Sequence, residues 1–264
     1  RMPPARGGDE KAMAMTNSES PLADFSVTAA SVRTRPHESG ARFAKDGLLH
    51  VQGAVTQDVA NALHAHVSKE LASHRHGGDA RWFGDVYGYE DGGSGKRWDL
   101  KLLLAPEVRA VLRELLGTLE GLLGSQQPGL QLVELAAMCT EPGDQGQPVH
   151  ADTSHMDVNQ IMTVFLAIHD VDRSQGPTLM YPGTHTDSAL HLGVKTLDES
   201  TAVLCTMACG DCVLMDSRLL HRGTSNTSSD NRCLFYTSWL PLGQQAHGST
   251  HTLLPAYEGR LGLQ

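Results

Sequence analysis

Pro142-Gly143-Asp144-Gln145-Gly146-Gln147-Pro148-Val149-His150-Ala151-Asp152 is the stretch on which the reading of this chain turns. Its glycines and prolines mark a turn that runs into an extended segment. In extended backbone, residues i and i+2 project to the same side. His150 and Asp152 can therefore reach one metal ion together. The third ligand has to come from a distant strand. The run Cys212–Met215 reads as a strand, and His221 follows it in Asp216-Ser217-Arg218-Leu219-Leu220-His221-Arg222-Gly223. Two histidines and one carboxylate on one face of an ion leave open positions, the facial arrangement of non-haem iron(II) oxygenases.

A single His-X-Asp match is weak in a chain with 14 histidines, and His185-Thr186-Asp187 is a second one. Context separates them. Arg232 lies 11 residues beyond His221, at the start of the strand-like run Cys233–Leu240. A dicarboxylate cosubstrate needs a fixed cation at its far end, and a guanidinium offers a planar fork that matches a carboxylate. Taken alone, an arginine at the start of a strand is more often a surface residue. Gln147, three residues before His150, is a candidate to touch the cosubstrate or to support a metal ligand, with a loop-capping glutamine as the alternative. Thr163, a polar residue in an apolar strand, is another, with a satisfied core hydroxyl as the alternative.

Working outward, residues 1–22 read as a flexible leader and 23–264 as one domain. Its helical part covers about 43–125 and its strand core about 130–240. Gly47–Val51 reads as a strand. Thr56 then caps a helix carrying Val59, Leu63, Val67 and Leu71 on one stripe. Pro106 opens a second helix with Val108, Val111, Leu112, Leu115, Leu116 and Leu119. Leu130–Thr140, Val158–Ile168, Ala202–Cys209, Cys212–Met215 and Cys233–Leu240 read as strands. Helices first and strands after make an α+β protein whose strand half closes as a sandwich or jelly roll. The Gly-rich stretch 75–96 reads as a long loop, and Trp82, Tyr87, Tyr89 and Trp98 around it are candidates for a substrate lid or for loop anchoring. Arg97, Lys101 and Arg218 are candidates to meet an anionic substrate, with solvated surface charge as the alternative.

Composition narrows the classes. The formal net charge is −9 and no basic run stands out, which argues against a nucleic-acid partner. No apolar run approaches the roughly 20 residues that span a bilayer. Five cysteines suggest reduced thiols and a cytoplasmic setting. Cys205, Cys209 and Cys212 carry the spacing of a radical-SAM iron–sulfur motif. Only 52 residues follow Cys212, too few for most of an α/β barrel.

Four pieces in order resemble the phytanoyl-CoA dioxygenase family. Pro142–Asp152 is similar to its first metal motif. Gly176-Pro177-Thr178-Leu179-Met180-Tyr181-Pro182-Gly183-Thr184-His185 is similar to its "G-P…PGSH" turn, which places His185 outside the metal site. Gly210-Asp211 is similar to its turn between two barrel strands, and His221…Arg232 to its distal histidine and arginine. The resemblance implies a double-stranded β-helix, a jelly roll, with helices packed on one side. It implies iron(II) on His150, Asp152 and His221, 2-oxoglutarate paired with Arg232, and use of O2 to oxidise a small molecule with release of succinate and CO2. Asp152 argues for hydroxylation or desaturation, because halogenating relatives lack that carboxylate. Val149, where the family often has an aromatic, and Leu234, where it often has serine, depart from the pattern. A zinc-binding or non-catalytic jelly roll is the alternative that the same ligands leave open.

Overall fold

The computed structural model describes residues 21–74, 83–85, 96–127, 129–154, 160–244, 257 and 262–263, with backbone alone for 21, 74, 83–85 and 263. A short 3-10 turn at Pro21–Phe25 leads into β1 (Ser26–Thr28), α1 (Ala29–Thr34), α2 (Pro36–Asp46), β2 (Leu48–Gln52) and α3 (Gln57–His74). Then come β3 (Phe83–Asp85), β4 (Arg97–Lys101), α4 (Pro106–Gln126), β5 (Leu130–Thr140), β6 (Met162–Ala167) and β7 (Thr178–Met180). The chain continues through α5 (Ser188–His191), β8 (Val203–Leu204), β9 (Cys212–Asp216), β10 (His221–Gly223), β11 (Arg232–Pro241) and β12 (Gly262–Leu263).

The large sheet runs in the order β1-β2-β9-β6-β11-β5-β4-β3, with β12 also pairing β5, and the small sheet runs β10-β7-β8. A bridge between His150 and His221 adds the segment before β6 to the small sheet. From β5 onward the chain crosses between the two sheets: large at β5, small at His150, large at β6, small at β7 and β8, large at β9, small at β10, large at β11. That winding is a double-stranded β-helix in an α+β protein.

Side-chain alternation along the strands divides the core. Leu135, Ala137, Cys139, Cys233 and Phe235 face the helices and join Val111, Leu115, Leu119, Leu63 and Val67. Ala136, Phe165, Ala167, Met215, Leu234 and Tyr236 face inward, toward the small sheet. Fully burying a leucine or valine side chain is worth about 1.5–3 kcal/mol, so the apolar stripe of α4 is a main weld between helices and sheet. Gly210 turns the chain into β9. Its φ is 92°, and a Cβ there would lie 2.3 Å from the Val55 carbonyl oxygen.

Order begins earlier than the composition suggests. Helix α1 precedes Phe43, α2 begins seven residues before it and contains it, and Leu22 is buried among inward-facing residues. These short helices carry few apolar residues. Local signals hold them instead: the Thr28 hydroxyl accepts from Ser31 N–H, Pro36 occupies the first turn of α2, and Gly47 closes α2 at φ 70°. Residues 1–20 of the expected leader lie outside the described residues. Thr56 does not use its hydroxyl as a cap; it donates to Glu114 Oε2 at 3.0 Å. The long strand expected over 202–209 is only β8, and β4, β7 and β10 form in stretches whose composition shows no strand signal.

Candidate active site

His150 and His221 face each other across the small sheet. Each backbone N–H donates to the other's carbonyl, at 2.9 and 2.8 Å, and the ring centroids lie 4.5 Å apart. Asp152, two residues on, has its N–H on the Ser217 carbonyl (2.9 Å). Its Oδ1 is 3.6 Å from His150 Nε2 and 3.5 Å from His221 Nε2. Among the described residues, these three alone form a group with ligand atoms all within 4.8 Å of one another.

The ring orientations suit a metal. His150 Nδ1 donates to the Pro148 carbonyl and His221 Nδ1 to the Leu219 carbonyl, each at 2.9 Å. Those bonds place the ring proton on Nδ1 and turn the Nε2 lone pair of each ring toward Asp152. Burial, reinforced by the neighbouring His221, lowers the pKa of His150 and favours the neutral ring that a ligand needs. Asp152 is half-exposed while His221 is buried, so the group opens to one side.

At one end of the inner face stands a row of three residues. Arg97 on β4 and Arg232 on β11 both pair in register with Thr140 on β5. Both guanidiniums are buried, at 1% exposure each. Arg97 is neutralised: its Nη2 is 2.7 Å from Asp144 Oδ2 and its Nη1 donates to Gln147 Oε1 (2.9 Å). Arg232 donates to Thr140 Oγ1 at 2.8 Å, and its Nε has no partner. No carboxylate of the described residues forms an ion pair with it. Burial, and then the charge of Arg97, pushes its pKa from the usual 12.5 down to about 10. A buried cation in that condition fits an incoming carboxylate.

The structure gives Arg97, Gln147 and Trp98 partners that the sequence alone did not specify. Arg97 is an interior residue, hidden from composition because its partner Asp144 is 47 residues away. Gln147 Oε1 accepts from both Arg97 and the Gly223 N–H (3.1 Å), so the side chain supports the segment that carries His150. It ties the run into His150 to the residue two beyond His221. Trp98 points toward the helices, with Nε1 donating to Glu141 Oε1 (2.5 Å), and lines no lid. Trp82, Tyr87 and Tyr89 lie outside the described residues. Arg218 pairs with Asp216 Oδ2 at 2.6 Å. Lys101 is half-buried on β4, close enough to Asp99 to influence it.

Farther along the inner face, Thr163 Oγ1 lies 2.9 Å from Ser238 Oγ, and Ser238 donates to Glu134. Tyr236 donates to Asp99 Oδ1 at 2.8 Å. Burial raises Asp99 to a pKa of about 6 and Glu134 to about 8. Sequence reasoning missed Glu134 and Asp99; their only signal was an acidic residue inside a run that otherwise reads as strand.

The competing motifs serve the fold. His185 Nε2 is 3.1 Å from the Ala44 carbonyl oxygen, and Asp187 caps α5 while pairing with Lys195 (2.8 Å). Cys205 belongs to the inward core and Cys212 to the helix-side core, and Cys209 touches Asn61, so the three thiols face different surroundings.

The family model for phytanoyl-CoA dioxygenase (PhyH) matches residues 43–233. The chain belongs to the phytanoyl-CoA dioxygenase family. The match takes in all three metal-type residues and Arg232. Solved structures share the fold. One is the non-heme alpha ketoglutarate dependent epimerase SnoN from nogalamycin biosynthesis, with TM-score 0.63 and 19% identity over 79% of this chain and 84% of that one. SnoN has also been solved in complex with Fe3+, alpha ketoglutarate and nogalamycin RO. The non-heme alpha ketoglutarate dependent carbocyclase SnoK gives TM-score 0.58 and 16% identity over 81% and 87% of the two chains. AviO1 from Streptomyces viridochromogenes Tue57 gives 0.58 and 20% over 81% and 96%. No curated protein matches the sequence. No described helix of this phytanoyl-CoA dioxygenase family member is long and apolar enough to cross a membrane.

Proposed function

We propose that this protein is an iron(II)- and 2-oxoglutarate-dependent dioxygenase that hydroxylates or desaturates a small molecule. The observation that carries the reading is the meeting of two Nε2 atoms and one carboxylate within 4.8 Å. A buried arginine without an ion-pair partner among the described residues supports it. His150, Asp152 and His221 would hold the iron. Arg232, with Thr140 beside it, would take the far carboxylate of 2-oxoglutarate. When bound, iron and 2-oxoglutarate together supply the oxidising equivalent from O2, with release of succinate and CO2.

The chain's own residues contribute position and charge. The carbonyls of Pro148 and Leu219 hold the two imidazoles in the ligating tautomer. The bridge between His150 and His221 fixes their spacing, and the Arg97–Asp144–Gln147 set holds the turn before it. The inward apolar wall of Ala136, Phe165, Leu234 and Tyr236 keeps water from the space between the sheets. Asp152 is the exposed member of the metal group, and Glu134, Ser238 and Thr163 lie on the same inner face of the large sheet.

A zinc hydrolase would use the same three ligands but has no need for Arg232. The test is anaerobic addition of iron(II) and then 2-oxoglutarate to the metal-free protein. A weak visible charge-transfer band that saturates with 2-oxoglutarate is expected, followed by succinate release when a metabolite library and O2 are supplied. Absence of the band with iron bound would refute the reading.

A further inference from the structure

Cys139 and Cys233 stand directly opposite each other on β5 and β11. The Cys233 N–H donates to His169 Nε2 (2.9 Å), away from β5. The two cysteines therefore form a non-hydrogen-bonded pair, in which Cα atoms lie about 4.5 Å apart and side chains are close. That separation falls in the window of roughly 4.4–6.8 Å spanned by a disulfide. The two Sγ atoms are in contact at 2.7 Å. Both residues are buried on the helix side of the sheet, and the other three cysteines lie elsewhere. The neighbours in sequence matter most: Thr140 follows Cys139 and Arg232 precedes Cys233, and those two form the anchor row on the opposite face.

We propose that Cys139 and Cys233 are a thiol-oxidation site, at which a peroxide forms a reversible disulfide that cross-links β5 to β11 behind the Arg232–Thr140 anchor. In the first step one sulfur attacks hydrogen peroxide, the O–O bond breaks, and a sulfenic acid and water form. In the second, the other sulfur displaces the hydroxyl oxygen as water and the S–S bond closes. Two thiols and one peroxide give one disulfide and two waters. A molecule as small as peroxide suits a buried pair. Hydrogen bonding with Cys233 and burial raise the pKa of the Cys139 thiol, and a protonated thiol is a poor nucleophile, so oxidation is slow and calls for excess peroxide. Closing the bond draws the sulfurs to about 2.05 Å and shifts the strands where Thr140 meets Arg232.

The test uses the whole 264-residue chain in its metal-free form, treated with hydrogen peroxide and then alkylated under denaturing conditions. Cys139 and Cys233 are expected to lose alkylation together, to appear as one linked peptide, and to recover with dithiothreitol. Cys139 and Cys233 still alkylated, or either joined to a different cysteine, would overturn the site. The effect on the anchor rests on the function proposed above and is read separately. After peroxide removal and anaerobic iron loading, 2-oxoglutarate should bind roughly threefold or more weakly, the scale set by displacing a positioned group by a fraction of an ångström. Cys233→Ser should show no change on peroxide treatment. A formed cross-link with an unchanged midpoint would overturn the link to the anchor. Failure of the reduced protein to bind 2-oxoglutarate at all would instead count against the proposed function.

Discussion

Replacing Arg232 with methionine separates function from folding. The residue is 1% exposed, with a single bond to Thr140 Oγ1 and no ion-pair partner among the described residues. Its pKa, moved from 12.5 to about 10, corresponds to about 3 kcal/mol lost by the charged form. An arriving carboxylate recovers that loss, and removing one partner of a buried pair costs on the order of 3–5 kcal/mol. At 1.4 kcal/mol per tenfold, affinity for 2-oxoglutarate should fall by roughly two to three orders of magnitude. Arg232→Lys should restore only part of it, since an ammonium lacks the two-pronged fork. The metal-free protein should gain stability or stay level, because methionine of similar bulk removes an uncompensated charge. The assay is anaerobic titration of the charge-transfer band with 2-oxoglutarate, paired with thermal unfolding of the metal-free form. An unchanged midpoint would place the cosubstrate elsewhere. A large loss of stability would mean that Arg232 is held by the fold for its own sake.

Asp152→Ala, His150→Ala or His221→Ala should each abolish iron retention with unfolding little changed, whereas Asp187→Ala should keep the iron; metal analysis after desalting decides, and the reverse pattern would transfer the site to the second His-X-Asp. For Glu134, the folded state holds a proton up to about pH 8 that the unfolded state releases near pH 4.5. Stability of the metal-free protein should therefore decline as pH rises through that window. Glu134→Gln should flatten the decline in unfolding midpoints; parallel profiles would show that burial does not perturb this carboxyl. Gly223→Ala sets a Cβ 2.1 Å from Arg97 Nη1. Iron affinity should drop in this variant, and wild-type affinity would show that the Arg97–Gln147 set does not position His221. Leu115→Ala, in the weld between α4 and the sheet, should cost about 2–5 kcal/mol in denaturant unfolding while leaving iron affinity unchanged in the folded protein.

The parts of this protein that could be read without coordinates depend on short range. The stripe of α3 and α4, the strand runs of β5, β9 and β11, and the i, i+2 relation of His150 to Asp152 each follow from the geometry of one continuous segment. Choosing His150 over His185, and recruiting His221 and Arg232, required the order of motifs along the chain, because no local feature separates one His-X-Asp from another. Register was beyond the sequence. Arg97, Thr140 and Arg232 become a row only because β4 and β11 both pair with β5, and a shift of one residue would turn each side chain to the opposite face. That pairing makes Arg97 a buried, neutralised residue instead of a surface charge. It brings Gln147 Oε1 onto Arg97 and the Gly223 N–H. It also brings Glu134 and Ser238 together inside the barrel, and sets Cys139 against Cys233 behind the anchor. Local spacing fixes which side chains share a face within a segment, whereas the partners of a buried charge or thiol are set by hydrogen-bond registers between strands that lie dozens of residues apart.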